Sequence, residues 1–187
     1  MSGPDGAWGV FLDRDGTLIE DTGYPRRPQD VRLLPGAVDA LRAFRALGAR
    51  LVVVSNQSGV GRGWITPQEM EAVDDRFRAL LADEGITLDA VHYCTDAPDR
   101  ATGRRKPGPG MLLEALAALV LEPGRSVMIG DKETDVQAGR AAGLATVLLA
   151  PSGPAPGATE ADQVATSWPA AVAWVRRRTG HPGTGSG

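Results

Sequence analysis

A short apolar run near the start of the chain ends in two aspartates, and this feature limits the possible folds more than any other. Residues 10–12 are Val-Phe-Leu, and Asp13, Asp15 and Gly16 follow almost directly. An apolar run that is closed by a glycine turn is typical of a buried strand. The two carboxylates are therefore predicted to lie at the carboxyl end of a strand, where open α/β sheets bind their ligands.

The same two carboxylates indicate a bound cation. Acidic groups this close repel each other unless a cation or a shared proton relieves them. Mg²⁺ takes one or two carboxylates and fills its remaining positions with water and phosphate oxygens. Asp-x-Asp-Gly also occurs in calcium loops, but Thr17, Leu18 and Ile19 do not supply the further oxygen ligands in the required pattern. The motif therefore predicts a metal-dependent site for phosphoryl transfer.

Composition and charge narrow the class of protein. The 187 residues carry a net charge of −3 and are 42% hydrophobic, which is typical of a globular chain. We expect one domain over residues 1–187, with a core at about 8–178 and a disordered tail at 179–187. The charge argues against nucleic acid as a partner. No apolar run approaches the roughly 18 residues that span a bilayer, so no membrane association is expected.

The amino-terminal residues and the cysteine content bear on the compartment. Residues 1–9 are polar and glycine-rich, so we expect no signal peptide and a cytoplasmic protein. Cys94 is the only cysteine, which excludes an internal disulfide and a zinc site built on several cysteines. No predicted helix has a spare apolar face, and a monomer is therefore expected.

Apolar runs alternate with helical patterns along the chain. Further strands are predicted at 51–54, 90–94, 126–129 and 144–149, and helices at 37–47, 66–84, 111–121, 134–143 and 168–178. Thr66 with Glu69, and Thr134 with Gln137, have the spacing of capping boxes. The alternation predicts an α/β fold, a Rossmann-like parallel sheet with helices on both faces.

Polar residues follow three of these strands, and they are expected to converge. The pairs are Asp13 with Asp15, Ser55 with Asn56, and Asp131 with Lys132. The carboxyl ends of parallel strands open onto one edge of a sheet. Lys106, in the loop after the strand at 90–94, is a fourth contributor: of 20 basic residues, only Lys106 and Lys132 are lysines. A lysine is a compact point charge, so both are candidates for sites that need an ammonium group.

Each residue type suits the cleavage of a phosphoester. Asp13 can attack phosphorus to form an aspartyl-phosphate, and Asp15 can protonate the leaving oxygen and later activate water. Ser55 and Lys106 can bind the transferring phosphoryl group, and Mg²⁺ between Asp13 and Asp131 can neutralise its charge. Asp135, in the first turn of a predicted helix, is interpreted as a partner of the helix dipole rather than of the metal.

Four segments resemble the ordered motifs of the haloacid dehalogenase (HAD) superfamily. They read Phe-Leu-Asp-Arg-Asp-Gly-Thr-Leu, Val-Ser-Asn-Gln-Ser-Gly, Arg-Lys-Pro-Gly-Pro-Gly-Met and Gly-Asp-Lys-Glu-Thr-Asp. Within the superfamily, the chain is similar to the heptose-bisphosphate 7-phosphatases and the related histidinol-phosphatases. The resemblance implies Asp13 as nucleophile, Asp15 as acid and base, and Ser55 and Lys106 as phosphoryl-binding residues.

The resemblance also implies the metal and substrate sites. Asp13, Asp131 and the backbone carbonyl of Asp15 would hold Mg²⁺. The substrate pocket would be lined by Asp21, Thr22, Gly23, Tyr24, Asn56, Gln57, Ser58, Arg105 and Lys132. The leading functional hypothesis is a phosphatase of a heptose 1,7-bisphosphate in the synthesis of nucleotide-activated heptose. A histidinol-phosphate or other small phosphosugar phosphatase is the alternative, and a non-catalytic phosphosugar-binding module is the alternative of another class.

One departure from the family pattern concerns zinc. Many members carry a zinc loop of three cysteines and a histidine before the lysine motif. Here only Cys94 remains; Thr102 and Arg104 lie near the positions where cysteines are expected. We therefore predict no structural zinc. The spacing between the motifs leaves no room for a large cap domain, so short loops must provide substrate specificity.

Overall fold

The computed structural model describes residues 6–153 and 159–180, and these residues form an open parallel sheet. The strands are β1 (Gly9–Leu12), β2 (Arg50–Asn56), β3 (Ala90–Cys94), β4 (Val127–Gly130), β5 (Ala145–Leu149) and β6 (Gln163–Ala165). Their order across the sheet is β3-β2-β1-β4-β5-β6, and every neighbouring pair is parallel. The first strand of the sequence therefore lies in the middle of the sheet, flanked by β2 and β4.

Helices cover both faces of the sheet. They are α1 (Ala37–Ala46), α2 (Ser58–Gly61), α3 (Pro67–Asp83), α4 (Gly110–Leu119), α5 (Glu133–Ala141) and α6 (Trp168–Arg178). Side chains alternate between the two faces of a strand, so Val10 and Leu12 pack with α1, α3 and α6, whereas Phe11 packs with α4 and α5. The predicted α/β class with helices on both faces is confirmed. Between residues 6 and 153, the strands are joined by these helices, by 3₁₀ turns and by loops, and no large cap domain is inserted.

Most predicted elements occur, and two strands differ from the prediction. The strand β2 extends to Asn56, so Ser55 and Asn56 belong to the strand itself. The strand β6 was not predicted, because it has only three residues and begins with a half-buried glutamine. The capping box of α3 is confirmed: the Thr66 hydroxyl accepts from the Glu69 backbone at 3.1 Å, and the Glu69 carboxylate accepts from the Thr66 backbone at 2.7 Å.

The predicted capping box of α5, Thr134 with Gln137, is wrong, because the cap lies two residues earlier, at Lys132 and Asp135. The helix begins at Glu133, so Thr134 lies inside its first turn. Asp135, rather than Gln137, accepts the hydrogen bond from the backbone N–H of Lys132, at 3.1 Å. The consequence is functional, because this bond fixes the Asp135 carboxylate beside the carboxyl end of β4.

The amino ends of β2 and β3 are joined by one acidic residue. The Asp89 carboxylate accepts hydrogen bonds from the Leu51 backbone at 2.8 Å, from Arg45 at 2.7 Å and from Arg50 at 3.0 Å. Partial burial acts to raise the pKa of the Asp89 carboxyl, but these hydrogen bonds outweigh it and hold that pKa below its usual value. Asp89 therefore remains ionised and fixes the edge of the sheet opposite the predicted site.

Two further predictions concern the carboxyl-terminal tail and the absence of a membrane-spanning segment. The predicted tail at 179–187 lies outside the described residues except for Thr179 and Gly180, which follow α6 directly. Across 6–153 and 159–180, none of the helices combines the length and apolar character that crossing a bilayer requires.

Candidate active site

Three adjacent strands bring the predicted catalytic residues to one edge of the sheet. Asp13 follows β1, Ser55 lies near the end of β2, and Asp131 follows β4. Because β2, β1 and β4 are parallel neighbours, their carboxyl ends open onto one crevice. The crevice holds a cavity of about 380 Å³, whose lining includes Asp13, Asp15, Ser55 and Lys106.

Lys106 is the buried cation of the site, and all three of its ammonium hydrogens have acceptors. Its Nζ lies 2.7 Å from Asp13 Oδ1, 2.6 Å from Asp135 Oδ1 and 2.8 Å from the Val54 carbonyl oxygen. Burial acts to lower the pKa of the ammonium, but the carboxylates of Asp13 and Asp135 outweigh it and raise that pKa. Lys106 therefore stays charged and holds the Asp13 side chain in place.

Asn56 in turn positions the backbone of Lys106. The Asn56 Nδ2 donates to the Lys106 carbonyl at 3.0 Å, and the Lys106 N–H donates to Asn56 Oδ1 at 3.1 Å. The peptide bond between Lys106 and Pro107 is cis. Asn56 was predicted to contact substrate; it lines the cavity, but both ends of its amide are already used by the protein.

Two of the carboxylates that pair with this lysine, those of Asp13 and Asp135, lie close to a third, that of Asp131. Asp13, Asp131 and Asp135 each present an oxygen within 4.8 Å of the other two. Burial and the neighbouring Asp13 charge raise the pKa of Asp131 to about 7. Burial raises the pKa of Asp135 to about 6, although Lys106 opposes this shift. Negative charge is therefore in excess, and a divalent cation with a preference for oxygen ligands fits the donor set.

The metal-site prediction named the carboxylates of Asp13 and Asp131 and the backbone carbonyl of Asp15, and the structure brings the two carboxylates together with that of Asp135. Sequence reasoning assigned Asp135 to the helix dipole, and this interpretation was incomplete, because its carboxylate is buried against Lys106. Asp131 does not line the cavity itself; its Oδ1 accepts a hydrogen bond from the Thr17 hydroxyl at 3.2 Å. Thr17 therefore orients a carboxylate of the cluster.

Asp15 is held apart from that cluster by two donors. Its Oδ1 accepts from Arg14 Nε at 3.2 Å and Nη2 at 3.1 Å, and its Oδ2 accepts from Gln57 Nε2 at 2.6 Å. Gln57 also donates to Ser55 Oγ at 3.0 Å, so it links the predicted acid to the predicted phosphoryl ligand. Burial raises the pKa of the Asp15 carboxyl, although the Arg14 guanidinium opposes this. A raised pKa suits a group that must donate a proton near neutral pH.

Two glycines make room for the carboxylates. Gly16 has a φ of +82°, and a Cβ built there would lie 2.5 Å from Asp131 Oδ2. A Cβ on Gly130 would overlap the carboxylate of Asp135. Both positions therefore require glycine, because any side chain would displace an acidic residue of the site.

Most predicted substrate-binding residues line the same cavity: Asp21, Gly23, Tyr24, Asn56, Gln57, Ser58, Arg105 and Lys132. Thr22 does not, and it is exposed. Thr134, which sequence reasoning missed as a site residue, also contributes to the lining.

The rim of the cavity is shaped by a polar and an aromatic contact. Lys132 Nζ lies 3.1 Å from Asp21 Oδ2, which ties the loop after β1 to the start of α5. Tyr24 meets Trp64 edge to face, with ring centroids 4.8 Å apart. Arg105 donates one hydrogen bond to the Asp96 carbonyl at 3.0 Å, and its side chain lines the wall. Two cationic side chains, Arg105 and Lys132, therefore face a cavity whose floor is acidic.

The loop that precedes Lys106 is fastened by side chains. The Asp96 carboxylate accepts from the Thr102 backbone at 2.9 Å and from its hydroxyl at 2.6 Å. Arg104 pairs with both carboxylate oxygens of Glu114 in α4, at 2.7 and 2.9 Å. His92 Nδ1 lies 3.5 Å from the same carboxylate. These contacts connect the loop to α4 close to the residues that enter the cavity.

Known proteins resemble the chain in sequence and in structure. The HAD-hydrolase-like family model matches residues 103–174. A D-glycero-alpha-D-manno-heptose-1,7-bisphosphate 7-phosphatase from Burkholderia mallei is 39% identical over 147 residues, covering 75% of this chain and 78% of the relative. A D-glycero-beta-D-manno-heptose-1,7-bisphosphate 7-phosphatase from Escherichia coli (strain K12) is 38% identical over 151 residues, covering 77% and 79%.

The chain is also similar to a solved structure. The D,D-heptose 1,7-bisphosphate phosphatase from B. bronchiseptica, complexed with magnesium and phosphate, superposes with a TM-score of 0.79 at 27% identity. The match covers 91% of this chain and 98% of that protein. The chain therefore belongs to the HAD-like hydrolase family, together with the heptose-bisphosphate 7-phosphatases.

Proposed function

We propose that this protein is a Mg²⁺-dependent phosphatase that removes the 7-phosphate of D-glycero-D-manno-heptose 1,7-bisphosphate. The observation that carries the proposal is the buried Asp13–Lys106 pair at the floor of a 380 Å³ cavity, with Asp15 two residues away. The names of the similar proteins support the sugar, and they include phosphatases of both the alpha and the beta anomer. The product would enter the synthesis of nucleotide-activated heptose.

The first half of the proposed reaction uses Asp13 and Asp15. A carboxylate oxygen of Asp13 forms a bond to phosphorus, and the bond from phosphorus to the sugar oxygen breaks. The electron pair of the broken bond stays on the sugar oxygen, which takes a proton from Asp15. Lys106 fixes the direction of the Asp13 oxygen through its 2.7 Å contact, and Ser55 is available to donate a hydrogen bond to a phosphoryl oxygen.

The second half regenerates the enzyme. Asp15, now ionised, accepts a proton from water as the water oxygen bonds to phosphorus and the bond to Asp13 breaks. Inorganic phosphate leaves, and Asp13 returns to a carboxylate. The contacts from Arg14 and Gln57 hold Asp15 in position for both proton transfers.

The acidic cluster is proposed to hold the metal. Asp13, Asp131, Asp135 and the backbone carbonyl of Asp15 are the candidate ligands, and their oxygen atoms match the preference of Mg²⁺. When bound, the ion supplies positive charge that neutralises phosphate oxygens beside the attacking carboxylate. Thr17 orients Asp131 for this role.

We further propose that the protein needs no structural zinc. The support is that Cys94 is the only cysteine and is buried, and that ion pairs and hydrogen bonds already fasten the loop at 95–108. We also propose that it acts as a cytoplasmic monomer on a phosphosugar, without nucleic acid or membrane as a partner. Arg105 and Lys132 are the proposed contacts for the substrate groups outside the reacting phosphate.

A substrate panel tests the proposal. Phosphate release is measured with both anomers of heptose 1,7-bisphosphate, with histidinol phosphate and with other phosphosugars, each with Mg²⁺ and with a chelator. We expect the highest kcat/KM for a heptose 1,7-bisphosphate, and activity only with Mg²⁺. Equal or higher kcat/KM for histidinol phosphate would reject the sugar assignment. Tight binding without phosphate release would instead indicate a phosphosugar-binding module.

A further inference from the structure

Arg14 is a buried cation that no step above uses directly. Its side chain is fully inaccessible to solvent, and it lies between the two aspartates of the first motif. The Nε and Nη2 side of the guanidinium contacts the Asp15 carboxylate, as described above. A buried charge is tolerated only when its hydrogen-bond partners are well placed. The partner on the other side of Arg14 therefore determines how firmly Asp15 is held.

That partner is the hydroxyl of Tyr93 in β3. Arg14 Nη1 donates to the Tyr93 oxygen at 3.3 Å, and the guanidinium carbon lies 5.1 Å from the centre of the Tyr93 ring. The tyrosine therefore contacts the arginine through its hydroxyl and through its ring. Truncating only the hydroxyl would leave Arg14 Nη1 without this acceptor while the ring contact remains.

Asp74 in α3 sets the direction of that hydroxyl. The Tyr93 hydroxyl donates to Asp74 Oδ1 at 2.5 Å, and Arg78 donates to Asp74 Oδ2 at 2.7 Å. A hydroxyl has a single proton, so its donation to Asp74 leaves its lone pairs to accept from Arg14. Burial raises the pKa of Tyr93, with a further contribution from Asp74, so the hydroxyl keeps the proton that it donates.

We propose that Tyr93 and Asp74 are positioning residues that act through Arg14 to orient Asp15 toward the oxygen of the leaving group. The inference rests on the proposed function, because it gives Asp15 the role of acid. The chain of contacts runs from α3 through β3 to the site, and each link is a hydrogen bond between named atoms.

The test separates proton donation from phosphorus attack by the choice of leaving group. An alkyl phosphate needs a proton from Asp15 when its oxygen leaves, whereas p-nitrophenolate leaves without one. Tyr93→Phe and Asp74→Asn are compared with the wild type in single turnovers at excess enzyme. The probes are the best alkyl phosphate of the substrate panel and p-nitrophenyl phosphate, both with saturating Mg²⁺.

We expect release of the alkyl leaving group to slow about tenfold in each variant, part of the full contribution of a general acid. Release of p-nitrophenolate should stay within about twofold of the wild type, since Asp13 and Lys106 are untouched. Asp89→Asn, at the opposite edge of the sheet, is the control for lost stability alone and should change neither rate. If Tyr93→Phe does not fold, Asp74→Asn carries the test.

Each remaining outcome overturns a defined claim. Equal slowing of both probes would mean that the contacts are purely structural, and no slowing of either would mean that Arg14 does not need them; both results reject the inference while the phosphatase assignment stands. A wild type that cleaves no alkyl phosphate would reject the proposed function and the inference together.

Discussion

Two acidic regions lie at opposite edges of the same sheet, and their charge balance is reversed. At the amino edge, the Asp89 carboxylate receives two arginines and one backbone N–H, and its pKa lies below the usual value. At the carboxyl edge, Lys106 pairs with Asp13 and Asp135, Asp131 lies within 4.8 Å of both carboxylates, and the pKa of Asp131 rises to about 7. The first region is electrostatically satisfied, whereas the second is not.

The difference separates a structural ion-pair network from a site built for a ligand. Repulsion between buried carboxylates destabilises the folded chain, and proteins retain such repulsion mainly where chemistry requires it. A divalent cation would offset the excess negative charge, and a phosphate could then bind through that cation. The carboxyl edge is therefore expected to respond to Mg²⁺, and the amino edge is not.

The largest expected effect comes from Asp13→Asn. The amide cannot form the aspartyl-phosphate, so kcat should fall by about 10⁴-fold or more. Stability should be kept or rise, because one negative charge leaves a crowded cluster. Steady-state kinetics and thermal unfolding check both statements. Phosphate release that survives the substitution unchanged would rule out the covalent mechanism.

The next effect is that of Lys106→Met, which removes the only buried ammonium among the described residues of the cluster. Asp13 and Asp135 then lack their cation, and we expect a loss of about 3–5 kcal/mol in the free energy of unfolding. Mg²⁺ should restore part of this loss. It should not affect the amino edge of the sheet around Asp89. Denaturant unfolding with and without Mg²⁺ measures it. A variant as stable as the wild type would contradict the described charge balance.

A smaller effect is expected for Thr17→Val. The substitution keeps the shape of the side chain but removes the hydroxyl that orients Asp131 at 3.2 Å. Residues that orient metal ligands typically contribute tenfold or more to metal affinity, so the Mg²⁺ concentration for half-maximal activity should rise about tenfold. The value of kcat at saturating Mg²⁺ should change little. An unchanged Mg²⁺ dependence would indicate that Asp131 is held by other contacts.

The smallest effect is predicted at the amino edge. Asp89→Asn should cost about 1–2 kcal/mol of stability, since its ion pairs are partly screened by solvent, and kcat should not change. Folding lowers the pKa of the Asp89 carboxyl. Its contribution to stability is therefore fully present above the pKa that this carboxyl has in the unfolded chain, and it is lost as the pH falls through the pKa in the folded protein. The free energies of unfolding of the wild type and of Asp89→Asn, measured as a function of pH, should therefore converge in acid. A change in kcat would contradict the claim that the amino edge is structural and only the carboxyl edge is catalytic.

The sequence predicted the parts of the site that local patterns determine. Asp13, Ser55 and Lys106 stand next to strand ends or in a short motif loop, and parallel strands bring such ends together by topology alone. Gly16 and the apolar run before it gave the position of the central strand. These inferences needed no knowledge of side-chain packing.

The sequence did not predict what depends on packing. Asp135 has an ordinary explanation in the first turn of a helix, and its ion pair with Lys106 arises only when α5 packs against β4. Arg14 resembles a solvated arginine in sequence, yet it is buried against Tyr93 and Asp15. The family resemblance placed Thr22 in the pocket, but the residue is exposed and does not line the cavity, and β6 was too short to recognise.

The most direct test of this account is a rapid acid quench of the protein with its best phosphosugar substrate and Mg²⁺, followed by peptide mapping. We expect a phosphoryl group on Asp13 within the first turnover, and none when Mg²⁺ is removed by a chelator. A phosphoryl group on another residue, or turnover without any phosphorylated enzyme, would contradict the assignment of the crowded carboxylate edge as the catalytic centre.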